Sequence, residues 1–101
     1  MIRRATLLDD VTRLVARHFD LSVAALRGPG RTARVALARQ VVFYLAHRHG
    51  GATLGRIGLY FSRHHTTVLH GVQRIQTLLR AGDPVSAVVL RVIPFISQVT
   101  L

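Results

Sequence analysis

From Leu7 onward the chain repeats apolar side chains at helical spacing: Leu7, Val11, Leu14 and Val15, with His18 closing the stripe. This predicts a first helix over roughly Thr6–His18, with Asp9 and Asp10 in its first turn, where the helix dipole favours acids. Ser22 has the chemistry of an N-cap. Leu21 can staple against Leu26 across a short second helix, which Gly28-Pro29-Gly30 ends. Arg31 to His49 contains no breaker and carries Val35, Ala38, Val42, Leu45 and Ala46 along one stripe. This longest helix is apolar over much of its circumference, so it is predicted to be central. Gly50-Gly51 stops it. Thr53 caps a short helix reaching about Tyr60, Phe61 to Arg63 forms a turn, and a strong helix runs from about His65 to Leu79. The apolar stripe of that helix is Val68, Leu69, Val72, Ile75 and Leu79. Its polar face is Thr66, Thr67, His70, Gln73, Arg74 and Thr77. Asp83-Pro84 opens a last helix over about 84–93 through Val85, Val88, Val89 and Val92. Its β-branched content leaves a strand as the rival, and Pro94 is expected to kink or end it.

The elements predict an all-α fold, a compact bundle of about six helices in one domain spanning 1–101. Residues 53–79 have the outline of a helix-turn-helix, a short helix, a turn and a second helix that opens on polar side chains. The outline alone is common to many helical domains.

Composition sharpens the picture. The 101 residues carry 14 basic and 4 acidic side chains, for a net charge of +10. Every basic residue is Arg; Lys, Glu and Cys are absent. Without Cys there are no disulfides or thiolate metal sites, and without Lys there is neither a Walker A loop nor a Schiff-base enzyme. The serines have no patterned His–Asp partners, so catalysis is not expected. His47-x-His49 and His64-His65 lack a Cys or nearby acid to complete a metal site, so neither metal nor cofactor is expected. His18 and His70 border apolar stripes and are expected to be partly buried. A small domain at +10 repels itself, and the usual reason for such a balance is a polyanionic partner. Nucleic acid leads and an anionic membrane surface is second, since guanidinium forks suit phosphate oxygens and guanine edges. A GC-rich genome shares in the Arg-for-Lys bias but does not explain the shortage of acids. The most apolar stretch, Val85–Ile93, is broken by Arg91 and too short to span a bilayer. No signal-peptide core follows Met1–Arg4. A cytoplasmic, nucleoid-associated protein is expected.

The most informative segment is Leu54-Gly55-Arg56-Ile57-Gly58-Leu59-Tyr60-Phe61-Ser62-Arg63-His64-His65-Thr66-Thr67-Val68-Leu69-His70. It closely resembles the C-terminal DNA-binding domain of DnaA, the bacterial chromosomal replication initiator, which reads L-x-x-I-G-x-x-F-G-G-R-D-H-T-T-V-L-H. Upstream, Ala38-Arg39-Gln40-Val41-Val42-Phe43-Tyr44-Leu45 resembles the family's R-Q-x-A-M-Y-L helix. The likeness covers roughly Leu7 to Leu79. It implies a TrpR-like helix-turn-helix that reads double-stranded DNA at DnaA-box-like sites, acting in transcription or replication, with no bound nucleotide and no membrane.

The resemblance also implies roles. His65, Thr66 and Thr67 take the family's base-reading positions, and short polar side chains there reach base edges without pushing the helix away. Arg31, counted back from Arg39-Gln40, takes the place of an Arg that enters the minor groove, where A·T-rich DNA attracts cations. Arg39, Gln40 and His47 fall on the family's backbone contacts. Arg34, Arg56, Arg63 and Arg74 are further candidates for the backbone; for Arg34 and Arg56, as for Arg48, a solvated surface charge is the competing reading. The chain departs from the family in having His64 at a base-reading Asp position and one Gly fewer before Arg63. An acid there accepts from cytosine N4 or orients a neighbouring Arg, and His64 does neither in the same way. The initiator carries an ATPase domain ahead of this one, whereas here the first helix begins within ten residues of Met1. The expectation is therefore a freestanding box reader. The rival is a basic protein that binds nucleic acid non-specifically. The apolar tail Val85–Leu101, with Phe95 and Ile96, is expected to cover the core or form a weak homodimer contact; otherwise the chain is a monomer.

Overall fold

The computed structural model describes residues 4–100, with side chains from Leu7 to Ile96. The helices are α1 (Arg4–His18), α2 (Val23–Arg27), α3 (Ala33–Tyr44), α4 (Leu54–Phe61), α5 (His65–Arg80) and α6 (Val85–Thr100), and there is no strand among the described residues. The core is built around α3, where Ala38, Val41, Val42 and Phe43 are all buried. Apolar side chains around its circumference let it pack on α1, α2 and, most extensively, α5. Gly71 makes that last contact close: a Cβ there would come within 2.7 Å of the Phe43 ring. Phe43 meets Phe61 of α4 edge to face, with ring centroids 5.2 Å apart.

Three caps sit where the side-chain chemistry predicts. Ser22 accepts from the Ala25 N–H at 3.0 Å, Thr53 from the Arg56 N–H at 3.1 Å, and Asp83 from the Val85 N–H at 2.9 Å. A fourth, Thr32, opens α3 by accepting from Val35 at 3.3 Å, so the helix starts after Arg31 rather than at it.

Four expectations need correction. First, α1 begins at Arg4, so its first turn holds no acid; Asp9 and Asp10 lie further in. Asp9 accepts from the Tyr60 hydroxyl at 2.6 Å, and Asp10 pairs with Arg13. Second, the long helix does not stay α-helical to His49. Leu45–His49 widens into a π-helical turn, closed by Gly50 N–H to Leu45 O at 3.0 Å. Gly50 permits this because a Cβ would meet Leu7 of α1 at 2.7 Å. Third, α6 is a helix that runs through Pro94 to Thr100 instead of ending at 93. Pro94 removes only the N–H that would bond Leu90, which faces solvent, while Val85, Val89, Val92 and Ile96 all bury on the inner side. That burial, against α1, the π-helical turn and α5, outweighs the missing bond. Fourth, His18 and His70 are exposed, at the margins of their stripes. Thr12 takes the buried place on α1, its hydroxyl turned back to Leu8 O at 2.6 Å. No helix among the described residues is long and apolar enough to cross a membrane.

Candidate nucleic-acid interface

The α4–α5 pair is joined by a turn of three residues, Ser62 to His64. Ile57, Gly58 and Phe61 bury one face of α4, and Val68, Val72 and Ile75 bury one face of α5. The turn is tight. Ser62 lies in the left-handed region with φ +55°, and the Arg63 N–H donates to Gly58 O at 2.8 Å. Only a glycine fits at position 58, since a Cβ would sit 2.5 Å from Arg63 O. Gly58 and the left-handed serine together let a turn with one glycine fewer than the family pattern still close.

The opening of α5 is exposed. His64, His65, Thr66 and Thr67 are all exposed, whereas Val68 directly behind them is fully buried. His64 is the N-cap: its Nδ1 accepts from the Thr66 N–H at 3.2 Å and lies 2.8 Å from Thr66 Oγ1. The His64 and His65 rings stack, with centroids 4.3 Å apart and planes tilted by 33°.

Beside this opening lies a recess of about 510 Å3, lined by the Arg27–Arg31 segment, Arg39, Ser62 and Arg63. Four of its lining residues are arginines. Among the described residues the one ion pair is Arg13–Asp10, so no carboxylate balances this cluster. The Gly28 carbonyl is its hinge point. It accepts from Arg63 Nη2 at 2.7 Å and from Arg39 Nη2 at 3.1 Å. Arg39 is a buried residue, 8% exposed, and its guanidinium also donates to Leu26 O at 2.8 Å and Gly30 O at 3.1 Å. Burial, and then the charge of Arg63, lower its proton affinity, although a guanidinium stays ionised. Arg63 Nη1 donates to Phe61 O at 2.6 Å. Arg63 thus ties the turn that starts α5 to the loop that carries Arg31, and Arg39 anchors that loop to α3.

The structure disperses the remaining candidates. Arg31 is exposed on the loop after Gly30, at the rim of the recess. Arg34 is exposed but donates to Phe19 O. Gln40 lies at the α3–α5 contact beside Gly71. His47 falls in the π-helical turn, where its Nδ1–H donates to Ala52 O at 2.8 Å. Arg56 and Arg74 are exposed on α4 and α5. Neither His47–His49 nor His64–His65 gathers a third His, Cys, Asp or Glu among the described residues. Sequence reasoning passed over Arg27, which lines the recess, lies 4.0 Å over the Tyr60 ring and donates to Tyr60 O at 3.1 Å. Its position next to the Gly-Pro-Gly loop was the one available signal.

Comparison with known proteins agrees with this geometry. Residues 8–75 match the family described as the bacterial dnaA protein helix-turn-helix. The chain is 42% identical over 83 residues to the chromosomal replication initiator protein DnaA of Thermomicrobium roseum, covering 81% of this chain and 18% of that protein. The DnaA proteins of Herpetosiphon aurantiacus and Xanthobacter autotrophicus are 43% and 44% identical over 74 and 75 residues. Those matches cover 72% and 73% of this chain, and 16% and 15% of the relatives. The chain thus spans less than a fifth of the length of the curated relatives it matches. On sequence and geometry together, the chain belongs to the bacterial DnaA helix-turn-helix family.

Proposed function

We propose that this domain binds double-stranded DNA sequence-specifically, at DnaA-box-like sites, and regulates transcription or replication through that binding in the bacterial nucleoid. The observation that carries the reading is the exposed run His64–Thr67 at the start of α5, set beside an arginine-lined recess with no acid in it. In this reading His64, His65, Thr66 and Thr67 face base edges in the major groove, and Arg31 enters the neighbouring minor groove. Arg34, Gln40, His47, Arg56, Arg63 and Arg74 are the proposed phosphate contacts. Arg39 supports that set from inside, by holding the loop that presents Arg31. Arg27 joins the set at the recess. The domain binds as a monomer, or as a weak pair through the exposed Leu90 and Phe95 of α6.

The test is fluorescence anisotropy at about 150 mM salt, the physiological range. It compares a duplex carrying a DnaA box with a duplex scrambled at constant composition. A preference for the box, reduced by about 1–3 kcal/mol in His65→Ala or Thr67→Ala, supports the reading. Equal binding of both duplexes, followed by no enrichment from a random pool, overturns it in favour of binding by charge alone, which the net charge of +10 would drive.

A further inference from the structure

We infer that His64 sets the base preference at the start of α5, selecting guanine where an acid would select cytosine. The inference rests on the proposed reading of DNA by α5 and deepens it.

The backbone N–H of Thr66 points at His64 Nδ1 from 3.2 Å. A backbone N–H only donates, so Nδ1 holds a lone pair, and the ring proton of the neutral imidazole is on Nε2. The Thr66 hydroxyl is 2.8 Å from the same nitrogen. That nitrogen has a single in-plane lone pair, so the N–H and the hydroxyl share it. Thr66 Oγ1 keeps acceptor capacity for an outside donor.

The cap thereby imposes a polarity on an exposed surface. His64 offers a donor, Nε2–H, and Thr66 offers an acceptor and a methyl. His65, stacked on the His64 ring at 4.3 Å, limits its rotation away from this arrangement. A donor over the major-groove edge of a base pair meets O6 and N7 of guanine, two adjacent acceptors, and is repelled by the N4 amino group of cytosine. Aspartate at the same position would satisfy the same cap with one carboxylate oxygen. Its other oxygen would accept, reversing the preference to cytosine and leaving Thr66 as it is. Position 64 therefore changes one letter of the target, and Thr66 is the internal control.

Selection from random duplexes, with the wild-type chain and His64→Asp in parallel, tests this. At one position the wild type should take guanine over cytosine by about tenfold, and His64→Asp should invert that ratio. All other positions, including the one read by Thr66, should be unchanged. An enriched site with the same base at that position for both proteins overturns the inference while leaving sequence-specific binding intact. No enriched site for either protein overturns the underlying reading, and the inference with it. Long-range 1H–15N spectra of the imidazoles give a second measure that needs no variant to fold. The Nε2–H tautomer of His64 supports the inference, and the Nδ1–H tautomer overturns it.

Discussion

Replacing Arg39 with Met removes a guanidinium while keeping a side chain of similar reach. Three hydrogen bonds go with it, to Leu26 O, Gly28 O and Gly30 O. The first is buried, and a buried bond from a charged donor contributes about 1.5–3 kcal/mol. The other two are partly buried, so water replaces them and each contributes roughly 0.5–1 kcal/mol. Against these stands the relief of repulsion between Arg39 and Arg63, together with the desolvation that a buried cation no longer suffers. We expect a net loss of about 2–4 kcal/mol, a large part of the roughly 5–15 kcal/mol that holds a domain together. In thermal terms this is a fall of about 10–20 °C. Urea unfolding followed by far-UV circular dichroism measures it directly, provided the slope against denaturant is unchanged. Arg39→Lys keeps the charge but not the planar fork, and should fall between wild type and Arg39→Met. An unfolding free energy for Arg39→Met within about 0.5 kcal/mol of wild type would refute the internal role assigned to this arginine.

Gly58→Ala gains up to about 1 kcal/mol of helix propensity but drives a methyl against Arg63 O. Because the obstacle is backbone, we expect a net loss of about 1–2 kcal/mol in urea unfolding; a stabilised variant would mean that the turn is slack. Ser62→Gly relieves a left-handed serine and should raise stability by roughly 0.5–1 kcal/mol in the same assay, with no loss expected. Burial first, and donation to Asp9 second, raise the Tyr60 phenol above its ordinary value of about 10. The folded state then holds that proton when the unfolded state has lost it, so the contribution is complete below about pH 10 and is lost as pH rises through the folded value. Tyr60→Phe should therefore be less stable near neutrality by about 1 kcal/mol and lack this part of the alkaline decline, which unfolding at a series of pH values would show.

The helices were largely legible because their apolar stripes are long and their caps are chemically distinctive. Ser22, Thr53 and Asp83 each sit one or two residues ahead of an apolar run and cap it as their side chains suggest. The start of α5 was legible for a different reason: four polar residues precede a sharply amphipathic stretch. Arg39 was not. An arginine on a helix reads as a surface charge, and what turns it inward is a row of carbonyls at Leu26, Gly28 and Gly30, which tertiary packing brings to it. The π-helical turn escaped as well: Gly50, which closes it, sits so near Leu7 of α1 that a Cβ would clash, a neighbour that local sequence does not reveal. The course of α6 past Pro94 depends on which side of the helix the missing N–H falls. The periodicity of Val85, Val89, Val92 and Ile96 contains that information, although the proline itself suggests an ending.

The shared Gly28 carbonyl has a consequence for the heat and entropy of association. Because Arg39 and Arg63 both converge on it, the loop bearing Arg31 and the start of α5 keep a fixed spacing before any duplex arrives. The conformational entropy of ordering these two segments is lost during folding and is not charged again at encounter. A calorimetric titration should accordingly show a heat-capacity change set by the surface that the two molecules bury, without the excess that accompanies a segment folding as it binds. The spacing between these two segments is built into the free protein.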